Sequence, residues 1–241
     1  MGRIIICLFY ICDLKERDFL FFNFITLVFY LLRSLCTFHH VWSNHMLSIG
    51  VTGGLGTGKS AAIKIFYELG ANILNADDIA KHILNANRDI IKKIKNTFGD
   101  DCYIDGELQT AVLAARAFDV PENLKKLNDI SHPALKQHLE KYIAATRAIP
   151  GVLMIEAAIL LEAGYENIFD LVLLITADEN LRIQRAIDRK NISKENIKKR
   201  IALQMPESEK RKYADFIIEN NGNKDELKKA CKKFWEEISR K

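Results

Sequence analysis

The chain has 241 residues, of which 49% are apolar and 27% charged, with a formal net charge of +4 at pH 7. That length is enough for one well-filled core, and the composition excludes a disordered chain, a collagen-like chain or a small disulfide scaffold. The mild positive charge gives no reason to expect nucleic acid as a partner. Five cysteines without a C-x-x-C pair or zinc spacing read as free thiols of a reducing cytoplasm.

Residues 1–45 differ from the rest. They hold no alanine or proline, but seven of the thirteen phenylalanines and three of the five cysteines. The run from Phe19 to Leu32 is almost wholly apolar, yet shorter than the roughly 18 to 20 residues a membrane helix needs. No small-residue cleavage site follows it. A weak membrane anchor and an atypical targeting segment are competing readings. We expect instead upstream sequence read from too early a start codon, because Met46 immediately precedes the first strand pattern, and membrane contact is not expected.

Leu47, Ile49 and Val51 alternate, which predicts a strand feeding the glycine-rich stretch 53–60. A helix through Ala61, Ile63, Ile65, Phe66 and Leu69 should follow, stopped by Gly70. Ala71 to Asp77 reads as a second short strand ending in polar residues. A long helical region then extends to about Arg147, with Ile90, Ile91, Ile94 and Phe98 on one face and a turn at Asp105-Gly106. Val152 to Ile155 is a buried strand ending on Glu156, and Leu171 to Ile175 is another. The arginine-rich helix Glu179 to Arg189 comes next, then a last strand at Phe216 to Ile218. In the final helix Leu227, Cys231, Phe234, Trp235 and Ile238 form the apolar face, with Lys228, Lys229, Lys232 and Lys233 on the solvated one. Strands alternating with helices predict an α/β fold whose parallel sheet is covered on both faces.

Gly53 to Ser60 spells G-x-x-x-x-G-K-S. The glycines let backbone N–H groups turn inward around phosphate oxygens, and the helix that starts there adds its positive end. Lys59 can reach the β- and γ-phosphates, and the Ser60 hydroxyl can ligate Mg²⁺. The loop alone leaves a GTPase, a motor ATPase and a small-molecule kinase open, although no glycine here has an aspartate three residues before it, as a D-x-x-G switch requires. Asn223-Lys224-Asp225-Glu226 lacks the last aspartate of a guanine-reading N-K-x-D and reads as a helix start. Asp77 and Asp78 follow the second strand, where Asp77 is either a general base for an attacking hydroxyl or a helix N-terminal acid. Glu156 is either a water-mediated Mg²⁺ ligand or an acid of the same structural kind. Arg182, Arg185 and Arg189 share one helix face, suited to closing over a polyphosphate or to meeting solvent. His132 precedes Pro133 in the helical region and, as a lone histidine, is read from the residues alone as structural.

In their order these segments resemble the dephospho-coenzyme A kinase family, from Met46 to about Trp235. "TGGLGTGKS" (Thr52 to Ser60) is similar to that family's P-loop, "ILNAD" (Ile73 to Asp77) to its D-A-D motif and "SHP" (Ser131 to Pro133) to its H-P signature. "EAAILLEAG" (Glu156 to Gly164) resembles D-x-P-L-L-x-E, "RAIDR" (Arg185 to Arg189) the lid's R-x-x-x-R, and "ADFIIENNG" (Ala214 to Gly222) the final A-D-x-x-I-x-N-x-G strand. The resemblance implies a P-loop NTPase three-layer sandwich with a helical acceptor-binding region at about 78–147 and a lid at about 179–212. It implies transfer of the γ-phosphoryl group of ATP to the 3′-hydroxyl of dephospho-coenzyme A in the cytoplasm, with Mg²⁺ accompanying ATP.

Asp77 then falls on the family's proposed base. Lys59 and the backbone of Gly56, Thr57, Gly58, Ser60 and Ala61 fall on the ATP site, Arg185 and Arg189 on the lid, and His132 on the acceptor side. Three positions depart from the pattern. Asn75 replaces the first aspartate of D-A-D, Ala158 a usual proline, and Thr110 an arginine often found after the D-G turn. Another P-loop kinase for a nucleoside monophosphate or small alcohol, and a membrane-tethered nucleotide-binding module, are the alternatives.

Overall fold

The computed structural model describes residues 45–190, 194–202 and 204–239. The apolar N-terminal segment, apart from residue 45, lies outside the described residues, as do the side chains of Arg189 and Lys190. Five parallel strands form the central sheet, in the order β2-β5-β1-β6-β7. They are β1 (Met46–Thr52), β2 (Asn72–Asn75), β5 (Gly151–Glu156), β6 (Leu171–Thr176) and β7 (Phe216–Glu219). In β1 the side chains of Ile49 and Val51 join one core while Ser48, Gly50 and Thr52 face the other way, so both faces of this central strand are buried.

On the first face α1 (Lys59–Leu69) and α9 (Lys224–Ile238) cover the sheet. Phe66 and Phe234 meet edge to face with ring centroids 5.6 Å apart, and Phe234 meets Phe216 at 5.0 Å. The apolar face expected of the last helix is buried and its four lysines are exposed. Asn223 starts that helix by accepting the N–H groups of Asp225 and Glu226, which is the helix-start reading of this stretch.

The second face carries α2 (Ala76–Ala86), α3 (Arg88–Phe98), α4 (Thr110–Ala117) and α5 (Pro121–Thr146). Ile90, Ile94 and Phe98 of α3 are buried there, while Ile91 is only partly so. The expected helical region is not continuous. A hairpin of β3 (Tyr103–Ile104) and β4 (Glu107–Leu108) interrupts it, turning at Asp105 and Gly106 with φ of 52° and 84°. Two consecutive positive φ values are what a two-residue hairpin with the sheet's twist requires. Pro133 lies inside α5, where it leaves the carbonyl four residues earlier without its helical donor.

The entry to β1 is fixed at the edge of the sheet away from the glycine loop. Met46 N–H donates to Arg147 O at 3.0 Å, and Arg147 grips Asp170, its Nη2 lying 2.7 Å from Oδ1. Asp170 Oδ2 also accepts the Ser48 N–H and hydroxyl at 2.8 and 2.7 Å. Burial opposes ionisation of Asp170, but Arg147 and Ser48 outweigh it and bring its pKa down to about 2. After β6 come α6 (Glu179–Lys190), α7 (Lys194–Ala202) and α8 (Glu207–Lys210), within the residues where a lid is expected. Ile183, Ala186 and Ile197 make a small core of their own, with Leu55 of the glycine loop packed against it.

Candidate active site

The strands point their C-terminal ends at the loop between β1 and α1, the crevice where open α/β sheets bind ligands. The N-cap of α1 is Gly58, with φ of 87° and no side chain capping it. The first-turn N–H groups of Lys59 and Ser60 therefore have no acceptor within their own helix, which leaves them for an anion. A Cβ on Gly58 would fall 2.2 Å from Asn220 Nδ2, and one on Gly56, at φ 81°, would fall 2.2 Å from the Arg182 carbonyl oxygen. Both glycines are thus required by backbone conformation and by close approach. Thr57 is buried, its hydroxyl donating to Gly54 O at 3.0 Å, and Asn220 Nδ2 donates to Thr57 O at 2.8 Å. Ala61 N–H is directed to Gly58 O at 2.9 Å, so of the residues expected around ATP this one donates into the helix.

Lys59 Nζ donates to Gly53 O at 3.3 Å and lies 3.9 Å from Glu156 Oε1. Glu156 ends β5 in register with Val51 of β1 and Asn75 of β2, which brings its carboxylate beside the P-loop. Burial pulls the Lys59 pKa below the ordinary 10.5. Glu156 and Asp77 oppose that shift, and Lys210 reinforces it. The attraction felt from Asp77 puts that carboxylate within electrostatic reach of the same ammonium.

Asp77 itself differs from expectation in its setting. β2 stops at Asn75, and Asp77 is an exposed residue in the first turn of α2 rather than the end of a strand. The reason is local: Asn75 Oδ1 accepts the N–H groups of Asp77 and Asp78 at 2.8 and 3.3 Å and starts the helix there. The departure from D-A-D therefore has a structural use, since asparagine caps a helix as well as aspartate does. Asp78 pairs with Lys81 at 3.3 Å on the surface.

The arginine stripe is divided between partners. Arg182 is buried, its Nε donating to Leu55 O at 3.0 Å and its Nη1 3.9 Å from Glu207 Oε2. Arg185 donates to Asn220 O at 2.8 Å and to Gly222 O at 3.3 Å, at the loop after β7. The Arg189 side chain lies outside the described residues. His132 offers its carbonyl to the Tyr165 hydroxyl at 2.8 Å, and the two rings meet edge to face at 6.1 Å. Burial lowers the His132 pKa against the opposing pull of Asp129, so the neutral ring is favoured. Thr110 opens α4 exposed, and Ala158 sits in the turn after Glu156.

Several residues about the loop were not singled out by sequence reasoning. Asn220 and Glu162 lie within segments that carry the family resemblance, so a signal for them existed. Gln204, whose Oε1 accepts the Leu55 N–H at 3.0 Å, and Lys210, buried beside Glu162, had none. As for Mg²⁺, Ser60 and Glu156 offer a hydroxyl and a carboxylate, both hard oxygen donors. No group of three or more His, Cys, Asp or Glu among the described residues is arranged to hold a metal ion. That donor set fits Mg²⁺, which keeps much of its water and is shared with phosphates.

Residues 47–226 match the family model described as dephospho-CoA kinase. A dephospho-CoA kinase of Corynebacterium diphtheriae is 33% identical over 196 residues, covering 80% of this chain and 98% of the relative. One from Aquifex aeolicus is 35% identical over 196 residues, covering 81% and 99%. A crystal structure of a Thermus thermophilus protein superposes with a TM-score of 0.68 at 30% identity, over 80% of this chain and 98% of that one. With the uncapped P-loop helix, its lysine and the parallel sheet accounted for by one lineage, the chain belongs to the dephospho-CoA kinase family.

Proposed function

We propose that this chain transfers the γ-phosphoryl group of ATP to the 3′-hydroxyl of dephospho-CoA, the last step of coenzyme A synthesis. The observation that carries the reading is the convergence on one uncapped helix end of Lys59 with Glu156 beside it at 3.9 Å and Asp77 within its electrostatic reach. Family membership supplies the acceptor.

Lys59 and the free N–H groups of the loop bind the β- and γ-phosphates and hold the γ-phosphorus in line with the acceptor. Asp77 takes the proton of the ribose hydroxyl as its oxygen forms the new bond to phosphorus. The bond from that phosphorus to the β–γ bridging oxygen breaks, and ADP departs with its electron pair. Arg185 stands at the nucleotide side of the lid, next to the Asn220 and Gly222 carbonyls. Arg189, later on the same helix, is the second lid arginine of this reading, and His132 belongs to the acceptor side. When bound, Mg²⁺ would be held by Ser60 and, through water, Glu156, and would neutralise phosphate charge.

The substrates are small molecules, ATP and dephospho-CoA, and nucleic acid has no part in the reading. The buried free thiols Cys102 and Cys231 suit a reducing cytoplasm. No helix among the described residues is long and apolar enough to cross a membrane. The test is a panel of acceptors with MgATP. Formation of coenzyme A and ADP from dephospho-CoA is expected; transfer to nucleoside monophosphates, with none to dephospho-CoA, would refute the acceptor assignment.

A further inference from the structure

A buried ammonium lies in the segment fastened to the P-loop, without a task in the mechanism above. Lys210, the last residue of α8, is 2% exposed, and its Nζ lies 2.8 Å from Glu162 Oε1. The distance is that of an ion pair, but the angles are not those of a hydrogen bond. Nζ has no hydrogen-bond partner, and neither has Glu162 Oε2. At that distance the attraction holds whatever the angle. Glu162 Oε1 is moreover shared, since it accepts the Met205 N–H at 3.0 Å. A buried ion pair left half satisfied on both sides is a weak source of stability, and apolar residues of similar size would serve the fold as well.

Its location supplies a better reason. The turn leading into α8 is fastened to the P-loop twice. Gln204 Oε1 accepts the Leu55 N–H at 3.0 Å, and Glu207 pairs with Arg182, whose Nε donates to Leu55 O. Glu162 arrives from the other side, on the loop that follows Glu156 and β5. Lys59 senses both members of the pair, Lys210 as repulsion and Glu162 as attraction.

We propose that Lys210 is a second polyphosphate-binding lysine of this kinase, with Glu162 holding its ammonium in place until ATP arrives. The proposal rests on the phosphoryl-transfer reading above and adds a residue to it. An ammonium carries three N–H donors, and one carboxylate oxygen beside it leaves donors for phosphate oxygens. The acceptor also bears a diphosphate, but the segment that carries Lys210 is fastened to Leu55 of the nucleotide loop, directly by Gln204 and through Arg182 by Glu207.

The experiment compares wild type, Lys210→Arg, Lys210→Met and the double variant Lys210→Met/Glu162→Gln, all in the full chain. Equilibrium affinities for MgATP, adenosine and dephospho-CoA are measured alongside thermal melting. The double variant leaves no unpaired buried charge, so it carries the test if Lys210→Met alone fails to fold. It is expected to lose about 10- to 100-fold in MgATP affinity, with adenosine and dephospho-CoA changed by less than about twofold. Lys210→Arg should keep MgATP affinity within about fivefold, since it retains the charge and can still pair with Glu162. MgATP affinity within about twofold of wild type in the double variant would overturn the proposal. So would a parallel loss for adenosine, the mark of a structural brace, or a loss confined to dephospho-CoA. If wild type instead phosphorylates a different acceptor, the acceptor reading fails while the MgATP and adenosine comparison still decides the role of Lys210.

Discussion

Replacing Asp77 by asparagine separates base chemistry from architecture, because the structure isolates the carboxylate so well. Asp77 is exposed in the first turn of α2, and the cap of that helix is the side chain of Asn75, which takes the Asp77 backbone N–H at 2.8 Å. Asparagine at 77 leaves that bond intact. The cost to the fold is confined to the charge at the helix N-terminus, about 0.3 to 1 kcal/mol. Loss of the base should cost about 10² to 10⁴ in turnover, or about 3 to 5 kcal/mol in the barrier. MgATP affinity should hold or tighten slightly, since Asp77 attracts the Lys59 ammonium and its removal leaves that charge freer for phosphate. The assay is ADP release at saturating dephospho-CoA, paired with a separate MgATP titration. Turnover within about threefold of wild type would show that no carboxylate at 77 takes the proton. A turnover loss matched by an equal loss of MgATP affinity would move Asp77 into the nucleotide site.

Gly58→Ala forces a side chain into φ of 87° and a Cβ to within 2.2 Å of Asn220 Nδ2, breaking the bond to Thr57 O. A loss of about 2 to 4 kcal/mol in stability, with MgATP affinity reduced at least tenfold, should appear in denaturant melts and nucleotide titration. Asp170 has its folded pKa lowered to about 2 from 3.8, so its contribution is full above the unfolded value and is lost as pH falls toward 2. The stability gap between wild type and Asp170→Asn, followed by urea midpoints, should therefore close on acidification from about pH 5 to about pH 2. Lys59 loses its proton below 10.5 in the free enzyme. The alkaline limb of kcat/KM for ATP should fall at lower pH than the limb of kcat, because bound phosphate holds the ammonium. Coincident limbs would refute that account.

The P-loop was legible because its chemistry is written in local spacing: glycines, lysine and serine at fixed offsets, between an alternating strand and a helix. The turn at Asp105-Gly106 and the apolar face of α9 were legible for the same reason. Asp77 reads from the sequence as a strand end, but β2 stops at Asn75 and Asp77 lies in the first turn of α2. The side chain that decides the boundary is Asn75, which closes the strand by capping the next helix. Strand order lay beyond reach, since the pairing of β1 with β5 and β6 joins segments about a hundred residues apart.

The arginine-rich helix α6 marks the limit most clearly. Period 3.6 put Arg182, Arg185 and Arg189 on one face, and a face of like charges suggests one common ligand. Yet Arg182 is taken by the Leu55 carbonyl and Glu207, and Arg185 by the carbonyls of Asn220 and Gly222. Periodicity fixes direction and says nothing of what stands in that direction. Lys210 shows the same limit. It sits in a run of charged residues, and only the folding of that segment against Leu55 and Glu162 buries it. A charge that tertiary structure takes out of water, with one carboxylate beside it and no hydrogen bond, has donors free for a further partner. Beside a phosphate-binding loop, that partner is most economically a phosphate.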